Sequence, residues 1–178
     1  QCYNPRDETW ATGLLERLGI PTGLFGDIVP PGTVLGPLRR SVAADAHCSP
    51  VPVIATASHD TASAVAAVPA TAAHYVYISS GTWSLMGIES PQPIISDASL
   101  RADLTNEGGV NGTIRLLKNI MGMWLVQECR RAWAAQGKAY TYDDLTALAE
   151  AAPAFGPLIN LSEARYLAPG EMPARIQA

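Results

Sequence analysis

Tyr75-Val76-Tyr77-Ile78-Ser79-Ser80-Gly81-Thr82-Trp83-Ser84-Leu85-Met86-Gly87-Ile88 is the stretch on which the fold turns. Its first half is aromatic and β-branched, with Val76 and Ile78 alternating against Tyr75 and Tyr77, the pattern of a strand with two unlike faces. Gly81 breaks the run and Trp83 to Ile88 resumes it, so the spacing predicts strand, tight glycine turn, strand. Downstream, Ile114 to Leu117 reads as another strand. Asn119 can cap a helix running to about Gln136, with Ile120, Trp124 and Ala132 toward the core and Met121 and Leu125 beside them. Thr141 caps a further helix, with Asp144 in the capping-box position, Leu145, Leu148 and Ala152 inside, and Pro153 as the stop. Upstream, Asp7 can cap a helix over residues 8–18 that buries Trp10, Leu14 and Leu18 and ends at Gly19 and Pro21. Residues 20–50, rich in Pro and Gly, read as loops and short edge strands. Val51 to Ala55 reads as a short buried strand, and a small-residue helix follows from about Thr61 to Val68, stopped by Pro69. Strands mixed with helices predict an α/β fold.

Composition narrows the function classes. The 178 residues are 48% hydrophobic and 16% charged, which suits a globular chain with a sizeable core. The formal net charge is -4 and no Lys or Arg run occurs, which argues against a nucleic-acid surface. A polyanionic ligand would need a local positive site such as backbone amides. The three cysteines, Cys2, Cys48 and Cys129, form no CxxC pair, so neither a disulfide framework nor a zinc site is expected. The apolar run Ala62 to Ala73 is too short for a membrane span and is broken by Pro69. A cytoplasmic protein with reduced thiols is expected. The chain opens at Gln1 without Met and closes on Pro173-Ala174-Arg175-Ile176-Gln177-Ala178, which reads as an opening helix and hence as a longer chain continuing.

Three constellations carry possible chemistry. Ala57-Ser58-His59-Asp60-Thr61-Ala62-Ser63 lies where a strand hands over to a helix, the place where α/β sheets collect ligands. An Asp there can act as a base toward a hydroxyl, or can simply be a helix N-cap. His59 alone reads more readily as structural. In Ser79-Ser80-Gly81-Thr82-Trp83-Ser84, Gly81 lets the backbone approach a bulky anion, and Thr82 and its neighbours can hold phosphate oxygens. An ordinary glycine hairpin explains the same letters. The third is Thr105-Asn106-Glu107-Gly108-Gly109 with Arg115-Leu116-Leu117-Lys118-Asn119 and Met123-Trp124-Leu125-Val126-Gln127-Glu128. Asn119 can present donor and acceptor to a polyol, and Gln127, two helical turns on, can reach a second ligand. Read blandly, Asn119 is a cap, Gln127 a solvated side chain and Glu107 a surface or structural residue.

Taken in order, these motifs resemble the FGGY carbohydrate kinase family. So do Asn4-Pro5-Arg6, Leu18-Gly19-Ile20-Pro21, Val29-Pro30-Pro31-Gly32-Thr33-Val34-Leu35-Gly36 and Tyr166-Leu167-Ala168-Pro169-Gly170-Glu171-Met172-Pro173. The resemblance covers essentially the whole chain, while the chain covers well under half of a member. It implies an actin-like, ribonuclease-H-like α/β fold in part. Residues 1–70 would be the end of the N-terminal sugar-binding domain and 71–178 the start of the C-terminal ATP-binding domain, with sugar and ATP meeting between them. The implied activity is ATP-dependent phosphorylation of a ketose at its 1-hydroxyl, L-rhamnulose first, with ATP and Mg²⁺ required. L-Fuculose, xylulose, or a non-catalytic sugar-binding remnant are the alternatives. Motif by motif, Asp60 matches the catalytic base. His59, Asp60, Thr61 and Asn119 match sugar contacts, and Thr82, Gln127 and Gly81 match ATP contacts. The family's N-terminal phosphate loop and its later adenosine loop are absent from this chain, so by itself it is expected to be inactive.

Overall fold

The structure is a computed structural model and describes residues 2–72 and 74–178. Gln1, the residue without a preceding Met, and Ala73, the end of the small-residue run, lie outside the described residues. The chain divides into two compact units, residues 1–79 with 86–118, and residues 80–85 with 119–178.

In the first unit, β1 (Tyr3–Asn4) and β2 (Thr9–Trp10) form a small antiparallel hairpin. Asp7 serves that hairpin and caps no helix: it accepts a hydrogen bond from Asn4 Nδ2 at 2.7 Å, and Glu8 takes a left-handed φ of 52°. The helix α1 therefore starts late, at Thr12–Arg17, and its buried residue is Leu15. Leu14 and Leu18, assigned inward from the sequence, are 50% and 64% exposed. The later start turns the helix, so the face facing the core is the one carrying Leu15. Gly19, at φ 68°, ends it as expected. The Pro/Gly-rich stretch holds β3 (Val34–Pro37) and a helix not foreseen, α2 (Arg40–Asp45). β3 pairs antiparallel with β4 (Pro52–Ile54), which is a strand as expected but exposed along its length. The helix α3 spans Asp60–Ala66 and buries Thr61, Ala62 and Val65.

The predicted strand–turn–strand is present as β5 (Tyr77–Ser79) and β6 (Trp83–Ser90). After α4 (Asp97–Arg101), held by a Ser96/Ser99 capping box, come β7 (Thr105–Gly108) and β8 (Ile114–Met121). The four strands form one sheet in the order β5-β6-β8-β7, and the division between the units falls within β6 and β8. Gly87 is required in β6: a Cβ there would meet Leu116 O at 2.6 Å and Leu117 Cβ at 2.7 Å. β8 runs four residues past the predicted end, so Asn119 is a strand residue and not a helix cap. Continued strand pairing satisfies the backbone there, and the local capping signal loses to it.

Tyr75 donates its hydroxyl proton to Glu89, and Thr113 Oγ1 donates to the other Glu89 oxygen at 2.9 Å. The carboxylate beside it pushes the Tyr75 phenol up to about 12 from 10.0. A folded-state value above the unfolded one favours the protonated form. Stability from this contact is therefore whole below pH 10.0 and lost as pH rises through about 12. Burial also pushes the Tyr77 phenol up, so ultraviolet titration of the six tyrosines should find a late phase to which Tyr75 contributes one phenolate, and Tyr75→Phe should reduce its amplitude by that one. A late phase of unchanged amplitude after the substitution would refute the contact.

In the second unit, α5 (Trp124–Ala135) begins at an N-cap of Met123 and buries Leu125, Glu128 and Cys129. Its core joins Met121, Leu125 and Cys129 to Tyr166 and Met172, the last at the start of α7 (Met172–Gln177). Trp124 packs at the edge of this cluster, and its indole N–H donates to Tyr166 O at 3.0 Å. Burial pushes the Cys129 thiol up, an inert core cysteine. The helix α6 (Tyr142–Ala151) carries the expected Thr141/Asp144 capping box, which pulls the Asp144 carboxyl down. Its expected inner face is uncovered: no α6 residue is buried and Leu148 is 56% exposed.

Candidate active site

The three constellations become two clusters, one in each unit. In the second unit the Ser80-Gly81-Thr82 turn is docked on the start of α5. Gly122 N–H and Trp124 N–H donate to Thr82 O at 3.3 and 3.0 Å, and Met123 N–H donates to Gly81 O at 2.9 Å. Those amides would otherwise be unpaired at the helix start, and the turn's carbonyls satisfy them. Close approach needs a glycine at 122: a methyl there would overlap both the Ser84 hydroxyl and the Gly81 carbonyl. One turn into α5, Gln127 Nε2 donates to Thr82 Oγ1 at 3.2 Å. Thr82 is exposed and Gln127 half-buried, so the pair presents polar atoms to solvent. Two residues 45 positions apart, both expected at ATP, are thus hydrogen-bonded. Asn119 lies in the same unit on β8 with its side chain exposed, and it makes no side-chain hydrogen bond among the described residues. Trp83 stacks near Trp124, with ring centroids 6.5 Å apart and planes at 11°.

In the first unit, Ser58 takes a left-handed φ of 62° between β4 and α3, a conformation serine adopts at a cost. Such outliers gather at functional sites. His59, not Asp60, is the N-cap residue of α3. Asp60 is the first helical residue and its side chain is 95% exposed. Three contacts meet here: Thr61 N to Asp60 Oδ1 at 2.7 Å, Thr61 N to His59 Nδ1 at 3.1 Å, and His59 Nδ1 to Asp60 Oδ1 at 3.0 Å. One amide proton cannot serve both acceptors well, and the shorter contact goes to the carboxylate. His59 Nδ1 is the longer and weaker acceptor of the same amide proton, and this contact makes it the side-chain cap of α3. The Asp60 carboxylate is thereby oriented by the Thr61 amide, and Oδ2 makes no hydrogen bond among the described residues.

Ser58, His59 and the segment Asn106-Glu107-Gly108-Gly109 all line one open groove of about 930 Å³. Asn106 is structural, its amide clamped to Ile94 through Nδ2 to O at 3.0 Å and Oδ1 from N–H at 2.8 Å. Glu107 pairs with Arg115, whose side chain is 1% exposed. Sequence reasoning missed this pair. The available signal was an arginine set inside the apolar run Ile114-Arg115-Leu116-Leu117, which demands an acidic partner.

Residues 76–178 match the C-terminal domain of the FGGY family of carbohydrate kinases. The chain belongs to this family. It is 45% identical over 178 residues to a rhamnulokinase of Enterococcus faecalis, covering 100% of this chain and 35% of that protein. A rhamnulokinase of Bacteroides thetaiotaomicron is 42% identical over 177 residues, 99% of this chain and 36% of that one. The chain thus spans about a third of the length of these relatives. Among solved structures, a ligand-bound xylulose kinase from Lactobacillus acidophilus is similar with a TM-score of 0.64 at 21% identity, over 86% of this chain and 30% of that one. The expected α/β architecture, a partial actin-like fold, is the one these kinases have.

Proposed function

We propose that this chain is part of an L-rhamnulose kinase, which transfers the γ-phosphoryl group of ATP to the 1-hydroxyl of the ketose and releases ADP. The carrying observation is the Gln127–Thr82 hydrogen bond on the turn docked to α5. It ties together the two side chains assigned to ATP, with Gly81 letting the backbone approach. The rhamnulokinase relatives support the choice of sugar. In this reading residues 1–70 belong to the sugar domain and 71–178 to the ATP domain, and the family match beginning at residue 76 supports that division. In this reading His59, Asp60 and Asn119 are sugar contacts, the buried Thr61 serves through the amide that orients Asp60, and Asp60 accepts the 1-hydroxyl proton as the new O–P bond forms. An oriented, exposed carboxylate suits proton acceptance late in a loose transition state.

Mg²⁺ would arrive on the ATP phosphates and help neutralise them, as one or two carboxylates with phosphate oxygens commonly suffice for this ion. Among the described residues no group of three or more His, Cys, Asp or Glu gathers to hold a metal. Among those residues no helix is long and apolar enough to cross a membrane. The reading places the kinase in the cytoplasm.

The test is ATP-dependent phosphorylation of a ketose panel by a kinase of the relatives' full length that carries this segment. Rhamnulose should be preferred; a clear preference for xylulose or fuculose would overturn the substrate. The 178-residue chain assayed alongside should be inactive, because catalysis by positioning is lost without the family's phosphate loop and adenosine loop.

A further inference from the structure

Glu107 and Arg115 sit directly opposite each other on β7 and β8, so their side chains share one face of the sheet. The Arg115 guanidinium is almost wholly withdrawn from water, at 1% exposure. Nη2 donates to Glu107 Oε2 at 2.8 Å and Nε donates to Gly108 O at 3.2 Å. A buried cation is strongly unfavourable without its partner, so the partner's position is tightly held. Glu107 is not buried with it. Its side chain remains 36% exposed and lines the groove that Ser58 and His59 share. Arginine and carboxylate commonly pair through both oxygens. Here only Oε2 is engaged, and Oε1 makes no hydrogen bond among the described residues. A carboxylate fixed through one oxygen and free at the other is an oriented acceptor, which is what a sugar hydroxyl needs.

We propose that Glu107 is a sugar-binding and specificity residue, accepting a hydrogen bond from one hydroxyl of the ketose through Oε1, with buried Arg115 as the positioning residue that aims it. This rests on the ketose-kinase reading above. It adds Glu107 to the groove lining that Ser58 and His59 share.

The experiment uses the full-length kinase carrying this segment, with the ketose and analogues each lacking one hydroxyl. Glu107→Gln should raise the KM for the ketose by ~10–100-fold, the usual worth of a hydrogen bond to a charged group, with the KM for ATP unchanged. The analogue lacking the partnered hydroxyl should lose a similar factor with the parent enzyme and almost nothing further with the variant. Glu107→Asp, which keeps the charge opposite Arg115 but shortens the reach, should show the same sugar-selective loss and serves if Glu107→Gln fails to fold. A ketose KM within about threefold of the parent, or losses that add for every analogue, would overturn the proposal even if the melting temperature falls. A parent with no ketose kinase activity would instead sink the reading on which the proposal stands.

Discussion

Asp60→Asn in the full-length kinase is expected to lower kcat by ~10²–10⁴-fold while leaving the ketose KM near that of the parent. Asn keeps the size of Asp and can still accept the Thr61 amide proton through its oxygen, the 2.7 Å contact that now orients Oδ1. It carries no charge and cannot take the sugar's proton, so the loss falls on the transition state. The rival reading treats Asp60 as a device for starting α3. His59 already occupies the N-cap position, which weakens that rival, but Asp60 also lies in the first turn of the helix. Asn is about as good as Asp at such ends, so on the rival reading both kcat and melting temperature survive. Measuring the two together separates the readings. A kcat within about threefold of the parent would remove Asp60 from the mechanism.

Gly122→Ala should strike the other cluster. The added methyl overlaps the Ser84 hydroxyl and the Gly81 carbonyl, and the second obstacle is backbone that cannot rotate away. The turn must lift from α5, lengthening Met123 N–H to Gly81 O and Trp124 N–H to Thr82 O, now 2.9 and 3.0 Å. Thr82 then leaves Gln127. Overpacking of this kind costs ~1–3 kcal/mol, so the melting temperature should drop. Loss of the paired contact to a charged phosphate should raise the KM for ATP by ~10-fold or more, with the ketose KM little changed. Gly13→Ala is the control, because a methyl there meets nothing within 4 Å. If Gly122→Ala matches that control in both measurements, the docked turn does not position Thr82.

Much of the fold was legible locally. The β5–β6 hairpin, the Thr141/Asp144 cap, the stop at Gly19 and the opening helix at Met172 all depend on residues within a few positions of each other, and turn chemistry and alternation report such neighbours directly. The order of motifs pointed to the family for the same reason, since it is a property of the chain and not of its folding. The departures share a different cause. Asn119 carries a capping signal, yet pairing along β8 holds it in a strand. Leu14 and Leu18 fit an inward stripe until the Asn4–Asp7 hairpin delays the helix and turns Leu15 inward. Val53, Ile54 and Leu148 read as core but are exposed in this chain.

By itself the sequence determined the local elements, the family and the list of residues to which chemistry can be assigned. Only the tertiary structure decided which of them meet. It brought Gln127 to Thr82 across 45 positions, gave the helix cap to His59 and left Asp60 exposed in the first turn, and set Glu107 opposite a buried Arg115. Those outcomes rest on strand register and on desolvation. Both depend on what packs against a residue from far along the chain, and no window of neighbouring letters contains that information.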